Sequence, residues 1–215
     1  MPRGHAVSAK AESIDLSATP NKIGAIILAA GRSSRMGTVN KLLEPVAGKE
    51  MMRHAIDAAI GSSASSVIVV TGFDADKIEE SLEGLPVRLV HNRRYSQGMS
   101  TSLRCGIEAL PDDVDGVVIC LADMPDVNSG HIDKLIENFD PDMERAICVS
   151  CFNGRRGNPV LWSRFFFAEM KKLTGDQGAR KLLCDYRNVI FEVVMPSDAV
   201  LRDIDTPEAL AEMTQ

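Results

Sequence analysis

The chain has 215 residues, of which 45% are hydrophobic and 25% charged. That is the composition of a globular protein, with enough length to bury a core without disulfide or metal staples. Its net charge of −6 argues against a nucleic acid or an anionic membrane as partner, but not against a small basic pocket for phosphates.

Residues 1–22 are polar and small, without the apolar centre of a secretory signal. They are expected to form a disordered tail before a single domain at residues 23–215. Apolar strand-length runs and helical patterns then alternate. Residues 23–29 read as a buried strand, and 49–60 as a helix with Met52, Ala55, Ile56, Ala59 and Ile60 on one face. A β-branched strand at 67–71 precedes a short helix at 74–82, with Asp74 as its expected N-cap. A short strand at 87–90 leads to a helix at 100–110 that turns Leu103, Ile107 and Leu110 inward. A strand at 117–121 and a helix at 128–139 follow, the latter with Ile132, Leu135 and Ile136 inward. The last third reads as strands at 147–151, 158–162 and 190–194 and helices at 165–173 and 178–186. A closing helix follows Thr206, with Pro207 in its first position.

This order predicts an α/β protein: a three-layer α/β/α, Rossmann-like domain around a mostly parallel sheet. The strands are continuously apolar, as strands covered on both faces are. No run approaches the roughly 18 apolar residues that cross a bilayer. The five cysteines, Cys105, Cys120, Cys148, Cys151 and Cys184, fit a reduced cytoplasmic protein. Cys148 and Cys151 form a CxxC within a strand, where residues three apart point to opposite faces, a poor arrangement for a metal.

Ligands of open α/β sheets bind beyond the carboxyl ends of the strands. The first strand runs directly into Leu28, Ala29, Ala30, Gly31, Arg32 and on to Arg35, Gly37 and Lys41. Small residues let backbone N–H groups approach a ligand, and two arginines and a lysine suit a polyphosphate. The spacing is neither a Walker loop nor a dinucleotide fingerprint. The strand at 117–121 ends near Asp123. That carboxylate could hold Mg²⁺ against a triphosphate or serve as a turn residue before Pro125. Asp203 and Asp205 form a second acidic candidate, and their alternative role is to favour the positive end of the closing helix.

The segments LAAGRSSRMG, NKLL, LADMP, GRRGNPVLW, GDQGAR and DIDTPEAL occur in this order. Together they resemble the molybdopterin nucleotidyltransferases, in particular the molybdenum cofactor cytidylyltransferases, over residues 23–213. The resemblance implies that Gly31, Arg32, Arg35 and Lys41 cradle the triphosphate of CTP, in a loop that includes Leu28, Ala29 and Ala30. It implies that Asp123 and Asp205 hold Mg²⁺, that Ser102 contacts the pyrimidine, and that Gly98 lies in the same base-side loop. Gly157, Asn158, Asp176 and Arg180 match the part that faces molybdopterin; many relatives carry His where this chain has Asn158. Ala30 stands where GTP-using relatives have Gly, and its methyl group is expected to narrow the base pocket. The implied reaction is transfer of CMP from CTP to the phosphate of molybdopterin, the organic part of the molybdenum cofactor. Competing readings are a same-fold transferase using GTP or a sugar-phosphate acceptor, and a factor that carries molybdenum cofactor to a molybdenum hydroxylase apoenzyme.

Overall fold

The computed structural model describes residues 20–32, 39–176 and 178–213. Most of the expected tail, residues 1–19, therefore lies outside the described residues, as do Arg35 and Gly37. At the edge of that segment Lys22 is held: its N–H donates to Asp115 Oδ2 at 2.8 Å, and its ammonium pairs with Asp113.

A seven-stranded sheet forms the centre. It contains β1 (Ile23–Ala29), β4 (Ser66–Thr71), β5 (Arg88–His91), β6 (Gly116–Leu121), β7 (Ile147–Phe152), β8 (Arg155–Ser163) and β9 (Ile190–Val194). The spatial order is β5-β4-β1-β6-β8-β7-β9. All neighbours pair in parallel except β8, which runs antiparallel to both β6 and β7. The chain leaves β1 toward β4 and β5 and later returns to β6 on the other side of β1. The carboxyl ends of β1 and β6 are therefore a topological switch point, where open α/β sheets form their crevices.

The helices cover both faces. Along β1, Ile23, Ala25, Ile27 and Ala29 join a core with Met52 and Ile56 of α1 (Met51–Ile60) and Ile132 and Leu135 of α4 (Ser129–Asn138). Ile26 points the other way, toward Leu103 and Ile107 of α3 (Met99–Ala109), with Trp162 and Phe166 in the same cluster. This is the period of two that a strand imposes, with both faces apolar because both are covered.

Several expectations need correction. Residues 49–50 are not helical. They form β3 (Lys49–Glu50), which pairs with β2 (Pro45–Val46) in a small hairpin ahead of α1. Asp74 precedes α2 (Ala75–Ser81), but it adopts φ +53° and its side chain makes no capping bond. Its neighbour Phe73 is tied back to the β1 loop, donating its N–H to Ala30 O at 3.3 Å. That turn forces a left-handed conformation, which Asp tolerates better than most residues. The expected helix at 165–173 is a 3₁₀ turn followed by the four-residue α5 (Phe167–Met170); Phe166 is buried while Phe165 is exposed. The helix α6 (Arg180–Asp185) is shorter than expected. The closing helix α7 (Pro207–Met213) begins as expected, with Thr206 Oγ1 accepting from Ala209 N–H at 3.2 Å.

Candidate active site

The loop after β1 returns to the sheet in a 3₁₀ turn, Lys41–Leu43. Asn40 Oδ1 caps that turn by accepting from Leu42 N–H at 3.2 Å, and Leu42 anchors it in the core. The turn points Lys41 inward, where it is only 7% exposed. Its ammonium donates to Asp123 Oδ2 at 2.8 Å, Asp205 Oδ1 at 2.6 Å and Ile204 O at 2.7 Å. An ammonium has three donors, and all three are used. Burial lowers the pKa of Lys41, but the charge of Asp123 and the hydrogen bonds to both aspartates outweigh it, so the net shift is upward. Lys41 therefore carries its charge throughout the neutral range.

The two carboxylates arrive from distant parts of the chain. Asp123 lies two residues beyond Leu121, which pairs with Leu28 of β1. Asp205 comes from the C-terminal segment, which Ile204 N–H ties to Asp123 O at 3.0 Å. Asp203 of the same segment is exposed, and Asp205 is the one that meets Lys41. Asp123 Oδ1 is buried with no hydrogen-bond partner among the described residues. An orphaned carboxylate oxygen is costly, and its lone pairs are what a hard cation takes. Paired carboxylates already bridged by one cation thus fit the Mg²⁺ expected there.

The remaining expected residues divide into groups. Gly31 and Arg32 are exposed, and among the described residues, its chain neighbours apart, no atom lies within 4 Å of where a Cβ on Gly31 would be. The Arg32 guanidinium stands over the Phe73 ring, 5.7 Å from its centroid. Leu28, Asn158, Asp176 and Arg180 line a cavity of about 570 Å³ together with Met99, Leu103, Leu121 and Trp162. Ala29 and Ala30 are buried and do not line it. The Ala30 methyl packs where a Cβ on Gly72 would be 2.8 Å away.

Ser102 is 5% exposed, on the covered side of α3, and accepts from Asn92 Nδ2 at 2.9 Å. Gly98 faces Gly175 and Asp176. Gly157 packs against backbone: a Cβ there would be 1.9 Å from Val200 O. The 3₁₀ turn at Asp198–Leu201 thus lies on β8 because residue 157 has no side chain. Gly157→Ala is expected to destabilise the fold by about 1–3 kcal/mol. It should also lower turnover by displacing the segment that carries Asp205. Thermal melts and turnover check this, and an unchanged melting temperature would mean that the segment yields at no cost.

Sequence reasoning did not assign Asn40, Asn92, Phe73 or the Ile204 carbonyl. An Asn directly before Lys41-Leu42-Leu43 is a legible cap signal; the other three have none.

Paired carboxylates, a buried cation and a small-residue loop at the switch point of a mostly parallel sheet are the equipment of a nucleotide-handling α/β enzyme. Comparison with known proteins agrees. A family model described as MobA-like NTP transferase domain matches residues 25–189. The purine catabolism protein PucB of Bacillus subtilis is 33% identical over 201 residues, covering 88% of this chain and 94% of that protein. Nicotine blue oxidoreductase of Paenarthrobacter nicotinovorans is 25% identical over 190 residues, covering 86% and 93%. Among solved structures, Rv0371c of Mycobacterium tuberculosis superposes with a TM-score of 0.79 at 26% identity, covering 91% of this chain and 99% of that one. The chain belongs to the MobA-like NTP transferase family and is a nucleotidyltransferase.

Proposed function

We propose that the chain transfers CMP from CTP to the terminal phosphate of molybdopterin, releasing pyrophosphate with Mg²⁺ as cofactor. The observation that carries this reading is the Lys41–Asp123–Asp205 cluster beyond the ends of β1 and β6; Leu28 and Leu121 near the ends of the same two strands line a cavity large enough for a heterocyclic acceptor.

In this reading Asp123 and Asp205 hold Mg²⁺, which supplies charge neutralisation on the triphosphate. Rv0371c has also been solved as a complex with manganese, so one protein of this fold takes a divalent ion. The exposed Gly31 contributes its backbone N–H to the phosphates, and Arg32 supplies a guanidinium that stands over the Phe73 ring. Lys41 exchanges one of its three acceptors for a phosphate oxygen as the nucleotide arrives. The acceptor phosphate attacks the α-phosphorus in line, and the bond to the bridging oxygen breaks. A phosphate nucleophile is already ionised at neutral pH, so no general base is needed. The task of the chain is to position two anions and offset the charge between them.

The molybdopterin assignment rests on the GRRGNPVLW and GDQGAR segments. Asn158 of the first and Arg180 of the second both line the cavity. Trp162, Leu103 and Leu121 give the cavity an apolar lining, which suits a heterocycle. CTP is preferred over GTP in this reading. The test is competition: with molybdopterin as acceptor, equal CTP and GTP should yield mainly the cytosine dinucleotide. Mainly guanine dinucleotide would overturn the nucleotide choice alone, and no pyrophosphate with either would overturn the acceptor.

A further inference from the structure

Helix α3 begins without a capping side chain at its own N-cap position. Its N-cap is Gly98, yet the first N–H groups of any helix need acceptors. They find them on the other wall of the cavity. Met99 N–H donates to Asp176 Oδ1 at 3.2 Å, and Ser100 N–H donates to Gly175 O at 3.1 Å. Gly98 makes the approach possible, because at φ +107° a Cβ on it would lie 2.7 Å from both Asp176 Oδ1 and Gly175 O. Arg104, one turn along α3, donates from Nη2 to Leu173 O at 3.1 Å and pins the segment a second time. A carboxylate at this end of a helix is also favoured by the helix dipole.

We propose that Asp176 is a positioning residue for the nucleotide: it caps α3 from across the cavity and thereby holds the turn at 98–102 in its binding shape. This rests on the reading that this turn faces the nucleotide. Met99 and Asp176 both line the cavity, so the cap joins the α3 wall to the wall carrying Arg180 and makes the two one unit. Nothing in this role requires Asp176 to touch the acceptor. Its carboxylate is directed at a backbone N–H, and the acceptor-facing contacts fall to Asn158 and Arg180.

Two variants separate this from direct acceptor binding. Asp176→Ala removes the acceptor oxygen, whereas Asp176→Asn keeps Oδ1 as an acceptor and removes the charge. The first measurement is hydrogen exchange at residues 99–102 in the ligand-free protein. The second is CTP affinity with Mg²⁺ and no molybdopterin present. Asp176→Ala is expected to exchange faster at Met99 and Ser100 and to bind CTP about tenfold more weakly. Asp176→Asn is expected to restore most of both. If Asp176→Ala leaves exchange and CTP affinity unchanged and weakens only molybdopterin binding, Asp176 is an acceptor ligand and the proposal falls. If the wild-type chain binds no CTP, the nucleotide reading fails, and amide exchange alone decides the cap.

Discussion

Asp123→Asn is expected to cut turnover by roughly 10²–10³ while leaving the fold in place. The amide is isosteric, and its oxygen can still accept the Lys41 hydrogen bond that Asp123 Oδ2 now accepts at 2.8 Å. The backbone tie from Ile204 N–H to Asp123 O is untouched. What disappears is the negative charge, and with it the anionic character of the buried Oδ1 that has no partner among the described residues. If that oxygen holds Mg²⁺, the loss resembles removal of a key electrostatic group, roughly 10²–10³ in kcat. Pyrophosphate release at ordinary Mg²⁺, measured beside a thermal melt, checks both halves. Normal turnover would reduce Asp123 to a turn residue before Pro125.

Lys41→Ala is expected to cost stability as well as activity. Lys41 is 7% exposed, and its ammonium is the counter-ion of two carboxylates that stand close enough to share it. Removing it leaves like charges facing one another in a partly dry site. Breaking a buried pair costs about 3 kcal/mol, which is about 6–12 °C in melting temperature for a chain of this size. The same change opens the link between the β1 loop and the C-terminal segment, because Lys41 also holds Ile204 O. Nucleotide affinity should fall at least tenfold. A second substitution isolates the cause: Asp205→Ala added to Lys41→Ala should recover part of the lost melting temperature by removing one of the two like charges. An unchanged melting temperature in the single variant would show that solvent screens the two aspartates without help.

Much of the site was legible before any coordinates. Residues 23–29 and 117–121 are runs too apolar to be anything but covered strands, and in α/β proteins chemistry gathers where such strands end. That placed Lys41 and Asp123 on one rim. Asp203 and Asp205 stood as a second acidic candidate, the likeness of DIDTPEAL to the family pointed to Asp205, and the structure brings Asp123 and Asp205 to the Lys41 ammonium. Ala30 is a case of another kind. It sits on the loop after β1, and no local pattern reports that it lies against Gly72, some forty residues away in the chain. Ser102 is similar. Its helical spacing was clear, yet its contact with Asn92 exists only because β5 ends beneath α3.

The alternation of β-branched runs with 3.6-period helices, the small-residue loop after β1 and the Thr206-Pro207 helix start were determined by the sequence alone. Each expresses a local preference that burial then reinforces. The tertiary structure decided which strands are neighbours, that β8 runs antiparallel between β6 and β7, and that residues 49–50 join a hairpin. It also decided what Lys41 touches. Its partners lie 82 and 164 residues along the chain, and their meeting follows from the crossover that sets β6 beside β1 and from Gly157, which lets the C-terminal segment lie against β8. Periodicity tells which face of an element is covered. What covers it, and which charges are carried along, is fixed only when the layers pack.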